Sequence, residues 1–389
     1  MLIREVKARI VQDSRGQETI CVSVNGRAEA SSPNGKSTGQ YETPSYHKSI
    51  KFCVDFLNKW NDLIEINTFD ELVKVEKAIC KKLNIKKANL FGANSLYAFE
   101  SAILKALAKE KKKELFEIAG NNKRMPNPIG NVVGGGMHSS AIKIHPNFQE
   151  FLVIPKSKSF SENFEIMNHV YNNVKNNLQT HGVNDEGAWL VSCTDEEVLH
   201  TLSRIISNVQ EKYQDAIVLG VDAATSTLFK NKNYNYTNKK LNPSEQIDFT
   251  EEITINYGIG YFEDPFQEKD FKSFAKLHKF FDKKCLIVGD DLTATQYNRA
   301  VGAIRTKSIN AMIIKPNQNG SLLELKRIFG LCKKHGVATV LSHRSGETMD
   351  DALADYAVGF GADYIKCGVA TKWREVKLKR LAEIEKKIK

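Results

Sequence analysis

The feature that most constrains this chain is a repeating unit. From Ile129 onward, short apolar runs recur at Phe151–Ile154, Ile217–Val221, Ile259–Phe262, Leu286–Val288, Ala311–Ile314, Val337–Leu341 and Tyr364–Ile365, most of them roughly 25 to 40 residues apart. Helical patterns lie between them. The clearest is Ser321–His335, with apolar residues at Leu322, Leu323, Leu325, Ile328, Phe329 and Leu331. Strand, helix and strand at this pitch predict a parallel α/β protein with enough units for a barrel. A doubly wound sheet fits less well, because no G-x-G-x-x-G comes after an early strand.

The residues just past each run matter more than the runs themselves. Asp222 stands after one, Glu263 and Asp264 after the next, then Asp290 and Asp291, Lys315, the set Ser342–Ser345, and Lys366. In a barrel the C-terminal strand ends converge on one mouth. A single Asp after a strand is an ordinary helix N-cap. Acids on three consecutive strand ends, with lysines on later ones, are poorly explained by caps. Asp222, Glu263 and Asp290 make an all-oxygen, hard-ligand set suited to Mg²⁺. Beside such a cation Lys315 would find its ammonium form disfavoured, which makes it a usable general base near neutrality.

Ahead of the repeats the pattern differs. Ile3, Val6, Ala8 and Ile10 alternate, Asp13–Gly16 (DSRG) makes a turn, and Ile20–Val24 reads as a second strand. Ser31–Glu42 is a polar loop, rich in glycine and hydroxyls; it is a surface turn or a flap that closes on a ligand. Residues 47–120 are helical, most clearly Gly92–Glu110, where Leu96, Phe99, Ile103, Leu104 and Leu107 share a face. Pro126 and Pro128 mark a boundary. The expected division is an α+β domain over 1–122 and a barrel over 123–389.

Composition narrows the partners. The formal charge is +10, yet lysine is spread along helical segments with no aromatic-interleaved basic stripe, so solvated helix faces are expected and nucleic acid is not. No apolar run reaches membrane-spanning length, and the N-terminus lacks a secretion-signal core, so a cytoplasmic location is expected. Seven scattered cysteines without C-x-x-C spacing predict reduced, mostly buried thiols.

At this point the motifs resemble those of the enolase family nearly end to end. They are DSRG, the GxSTGxYE loop at Gly35–Glu42, GANS at Gly92–Ser95, QEF at Gln149–Phe151 and DEG at Asp185–Gly187, then VDAATS, FEDPF, GDDLT, IKPNQNGSL and LSHRSGET. Pro316 after the lysine resembles the archaeal members. The resemblance implies an enolase-type (β/α)8 barrel with an N-terminal α+β capping domain, and dehydration of 2-phosphoglycerate with two Mg²⁺ per site. It implies that Asp222, Glu263 and Asp290 hold the first ion and that Ser37 helps hold the second. Lys315 would take the C2 proton, and Glu186, assisted by Glu150, would act as acid toward the C3 hydroxyl. Arg344 and Ser345 would hold the phosphate, His343 would line the site, Lys366 would approach the carboxylate, and Gln149 would support Glu150. It also implies a homodimer, in places assembled to an octamer.

Three stretches depart from the family pattern. The loop before QEF is long, placing Gln149 eleven residues after His138, with His145 as a second candidate for the loop histidine. Ala188 and Trp189 come after DEG; the Trp either fills core, narrows the mouth or desolvates Glu186. Lys36 stands in the flap, facing either a bound phosphate or solvent. These changes and the basic charge leave two other readings open: a related lyase on another phosphorylated hydroxy acid, or a non-catalytic protein of this fold that binds polyanions.

Overall fold

The computed structural model describes residues 1–36, 39–120, 122–139 and 142–389. Eight strands close a barrel: Asn127–Gly134, Glu150–Pro155, Ile217–Asp222, Ile259–Glu263, Leu286–Gly289, Ala311–Ile314, Ala338–Ser342 and Tyr364–Lys366. The last pairs with the first in parallel, Lys366 opposite Ile129, which leaves no edge in the ring. Side chains alternate. Ile129, Leu152, Ile154, Tyr261, Val288, Ala311, Ile313 and Val340 form a separate buried cluster, while their strand neighbours Phe262, Met312 and Ile314 join the larger core under the helices.

One strand runs against the rest. Glu150–Pro155 is antiparallel to both neighbours, with Glu150 opposite Asp222 on one side and Gly134 on the other. It therefore begins at the end of the barrel where the other strands finish. This explains how Gln149 and Glu150, at the start of a strand, meet residues that lie past strand ends. The first strand was not among the predicted runs. Asn127, Pro128 and two glycines obscure its pattern, and Pro128 is tolerated because it lies at the strand's beginning. A hairpin, Thr180–Val183 and Trp189–Val191, pairs with that first strand (Val133 opposite Trp189) and carries the Asp185–Gly187 turn to the same end.

Ahead of the barrel, Val6–Gln12, Glu18–Val24 and Ala28–Ser31 form an antiparallel sheet, and the DSRG turn joins the first two. The helix Ala93–Lys111 packs on this sheet and is buried on nearly every side. Its start also rests on the barrel. A Cβ on Gly320, whose φ is +94°, would lie 2.6 Å from Ala93 Cα, so GANS and the IKPNQNG turn fit only with glycine there.

The same contact buries the Glu100 carboxyl beside a half-buried Glu76. Leu322 N–H donates to Glu100 at 2.7 Å, and the Ser321 hydroxyl donates to Glu76 at 2.5 Å. Both sit at the start of the helix Leu322–Lys334. Burial, and then the neighbouring Glu76, push Glu100 well above the usual carboxylate range. A group whose pKa is raised on folding contributes most stability below its unfolded pKa and loses it as pH rises. Glu100→Gln, which keeps the acceptor without the charge, is therefore expected to stabilise the protein at pH 8 by about 1–3 kcal/mol. The gain should shrink toward pH 5. Urea titrations at both pH values check this, and an unchanged or lower midpoint at pH 8 rules it out.

All seven cysteines are free and five are buried. No helix among the described residues is long and apolar enough to cross a membrane.

Candidate active site

The barrel mouth gathers the predicted strand-end groups into one cavity. Gln149, Glu150, Glu186, Asp222, Asp290, Lys315, His343, Arg344, Ser345 and Lys366 all line it, and Glu263 lies just beneath, fully buried. Ala224, Asp264, Ala294 and Thr295, each just past a strand end, hold left-handed backbone that residues other than glycine seldom adopt.

Lys366 is the hub of the floor. Its Nζ lies 2.8 Å from Glu150 Oε2, 2.9 Å from both oxygens of Glu263 and 3.2 Å from Asp222 Oδ2. Tyr261 donates to Glu263 from the barrel interior at 2.8 Å. Even so, negative charge is in excess. Burial, opposed by Lys366 but reinforced by Glu150 and Asp290, raises Asp222; burial and then Asp222 raise Glu263 further. Burial and then Asp290 push Asp291 up to about 7. Carboxyls crowded until they resist ionising, all hard oxygen donors, are the environment a divalent cation fits. The tightest trio among the described residues is Asp264, Asp290 and Asp291. Both oxygens of Asp264, however, already accept from the backbone N–H groups of Asp290 and Asp291, at 3.0 and 2.8 Å, so it braces the turn.

Lys315 is paired with Asp290. Burial works to lower its pKa, but Asp290 prevails and holds the ammonium above its ordinary value. Asp290 in turn is held low: burial pushes it up, but Lys315, with Lys366 and Arg344, together pull it below its ordinary value. Only if the charge of Asp290 is taken up elsewhere does Lys315 lose the partner that keeps its proton.

Across the cavity stand Glu150, Glu186 and His343. Burial raises Glu150, against Lys366 and with help from the neighbouring Glu186. Asn184 holds the Glu186 turn, its Oδ1 accepting from the N–H groups of Glu186 and Ala188 at 2.9 and 3.0 Å. His343 Nε2 lies 3.7 Å from Glu186 Oε2. Burial, and then Arg374 and Lys366, keep this imidazole well below its ordinary pKa and so neutral.

Around Arg344 the motifs that precede the barrel meet its loops. Arg344 is 5% exposed; its guanidinium donates to Glu42 at 3.0 and 3.2 Å and to Asn317 at 3.1 Å. Asn317 donates to Asn94 of GANS at 3.0 Å and to the Pro33 carbonyl at 2.9 Å. The DSRG turn clasps the 343–347 loop: Ser14 N–H donates to the Glu347 carbonyl at 2.7 Å, and Arg15 Nη1 to Ser345 Oγ at 3.2 Å. Asn34 and Gly346 form an antiparallel bridge, and a Cβ on Gly346 would collide with the Asp13 carboxylate.

The departures from the motif pattern have separate outcomes. Ser37 and the side chain of His138 lie outside the described residues. His145 Nδ1 lies 2.8 Å from the Pro146 carbonyl oxygen, and the ring faces a different cleft, with Asn147 and Tyr236. Trp189 stacks on Tyr171 (centroids 5.0 Å apart, planes at 24°) and donates to its carbonyl at 2.9 Å, so it fills the packing behind the Glu186 turn. Lys36 lines the cavity, paired with Asp185 at 3.3 Å. Glu42, Gln318 and Arg374 were not among the predicted site residues. Glu42 and Gln318 sit inside recognised motifs, where their polarity was the available signal; Arg374 sits in a plain amphipathic helix and gave none.

Known proteins share this sequence. Residues 122–389 match the family model described as enolase, C-terminal TIM barrel domain. The enolase of Archaeoglobus fulgidus is 35% identical, the alignment covering 99% of this chain and 97% of that protein. The Thermoplasma acidophilum enolase is 33% identical, with 98% of each covered. Enolase B of Dictyostelium discoideum is 34% identical over 100% of this chain and 95% of its own. Through its barrel and in end-to-end alignment with such relatives, this chain belongs to the enolase family.

Proposed function

We propose that this chain is a phosphopyruvate hydratase, which removes water from 2-phosphoglycerate to give phosphoenolpyruvate. The observation that carries the reading is that Lys315, Glu150 and Glu186 line one cavity, with the strand before Lys315 four places round the eight-stranded ring from the strand that Glu150 begins. A base and an acid are thus available to the two faces of one small substrate.

In this reading Lys315, as free amine, accepts the C2 proton. The electron pair left at C2 forms the C2–C3 double bond as the C3 hydroxyl departs, and Glu186 supplies the proton that makes it water. Glu150, which lines the same cavity, assists it. Arg344 offers a planar fork to the phosphate, and Ser345 a hydroxyl. Lys366 neutralises the floor near the substrate carboxylate, and Gln149 closes the side next to Glu150. Asp222, Glu263 and Asp290 are the residues that would hold Mg²⁺, with Ser37 contributing to a second ion. Such cations stabilise the extra negative charge that gathers on the substrate carboxylate in the transition state.

The test is direct. Purified chain with Mg²⁺ and 2-phosphoglycerate should produce rising ultraviolet absorbance from the enol product, and EDTA should stop it. Absence of turnover above a Lys315→Ala control would falsify the assignment.

A further inference from the structure

Behind the cavity lies a buried cation to which the proposed chemistry gives no part. Arg374, on the first turn of the helix Lys372–Ile388, is 0% exposed and is the largest fully buried side chain among the described residues. Its Nη2 donates to the carbonyls of Arg344 and Ser345 at 3.1 and 2.9 Å. Its Nε lies 3.4 Å from His343 Nδ1. Gly368 makes the approach possible: a Cβ there would stand 3.2 Å from Arg374 Cγ and 3.7 Å from His343 Cε1.

A guanidinium only donates. The His343 nitrogen facing it must therefore present a lone pair, because an Nδ1–H would set donor against donor. A neutral imidazole has one N–H, so the proton belongs on Nε2. That nitrogen is the one facing Glu186 Oε2, at 3.7 Å. We infer that Arg374 is a positioning residue for the dehydration: it selects the Nε2–H tautomer of His343 and so turns a donor, not a base, toward Glu186. When Glu186 gives up its proton the carboxylate left behind faces that donor, which stabilises it at the moment its charge appears. The inference rests on the acid role proposed for Glu186. The surrounding cations, with burial, keep His343 neutral, in keeping with a fixed tautomer.

The experiment uses the full chain labelled with ¹⁵N-histidine. Long-range ¹H–¹⁵N correlation at pH 7 reports which ring nitrogen carries the proton, and His343→Gln identifies the resonance. In the wild type His343 should be the neutral Nε2–H form. In Arg374→Met, which keeps much of the length and removes every donor, the Nδ1–H form should appear. In the same variant kcat should fall roughly ten- to a hundredfold with KM within about threefold, the size of effect seen when the partner behind a functional histidine is lost. Arg374→Lys should recover part of the rate. A wild-type Nδ1–H or doubly protonated ring overturns the inference even if Arg374→Met does not fold. So does an Arg374→Met protein in which either the tautomer or kcat keeps its wild-type value. Wild-type turnover of 2-phosphoglycerate is scored separately, so loss of the functional reading and loss of this one give different results.

Discussion

Lys315→Ala is expected to lower the rate of phosphoenolpyruvate formation by about a thousandfold, in the middle of the range for a positioned general base. The fold should survive. Lys315 also contributes a backbone N–H to Thr295 Oγ1 at 2.9 Å, which alanine keeps, and Gln318 Nε2 remains 3.3 Å from Asp290 Oδ1. A second measurement separates base from acid. In D₂O, a protein whose base works but whose acid does not should still exchange the C2 hydrogen of 2-phosphoglycerate while losing net dehydration. Glu186→Gln is expected to behave in that way, and Lys315→Ala to lose exchange and dehydration together. If Lys315→Ala exchanges the C2 hydrogen at the wild-type rate, the base lies elsewhere.

Lys366→Met carries the largest expected effect on stability. The ammonium it removes is shared by Glu150, Asp222 and Glu263, all nearly or fully buried. Removing one partner of a buried ion pair leaves uncompensated charge and typically costs about 3–5 kcal/mol. In EDTA the variant should therefore melt well below the wild type. The same substitution also removes the cation that competes for those carboxylates. Added Mg²⁺ should raise the variant's melting temperature by more than it raises the wild type's, since binding to the folded state alone stabilises in proportion to affinity. Equal melting temperatures in EDTA, or a smaller Mg²⁺ response in the variant, would rule out Lys366 as the counter-ion of the floor carboxylates and those carboxylates as the metal ligands.

Much of this was legible before any coordinates. The periodic runs named most of the barrel strands because parallel strands, covered on both faces, read as continuous apolar stretches. The ionisable groups stood out because nothing about a strand's end requires an acid. The legible part stopped where placement depends on neighbours. The first strand was hidden by Pro128 and its glycines. The direction of Glu150–Pro155 cannot be inferred from a run of apolar residues, since a strand and its reverse bury the same face. The expectation that Lys315 sits with a lowered pKa depended on an ion; the side chains alone give it Asp290 and a raised one. Trp189 was open to three readings, and its stacking on Tyr171 selects packing. Arg374 escaped because a buried arginine looks, in one dimension, like any other charge on a helix.

The reversed strand has a consequence for how this chain tolerates change. In an all-parallel barrel, a segment preceding a strand lies on the floor. Here the segment preceding Glu150 lies on the mouth, and the pairing of Glu150 with Asp222 and Gly134 pins its far end like a hem. The two residues before Gln149 are stitched down as well, Asn147 and Phe148 donating to Asp195 at 2.8 and 2.9 Å. A change of length that reached Asn147 would pull on the seam that holds the carboxyl.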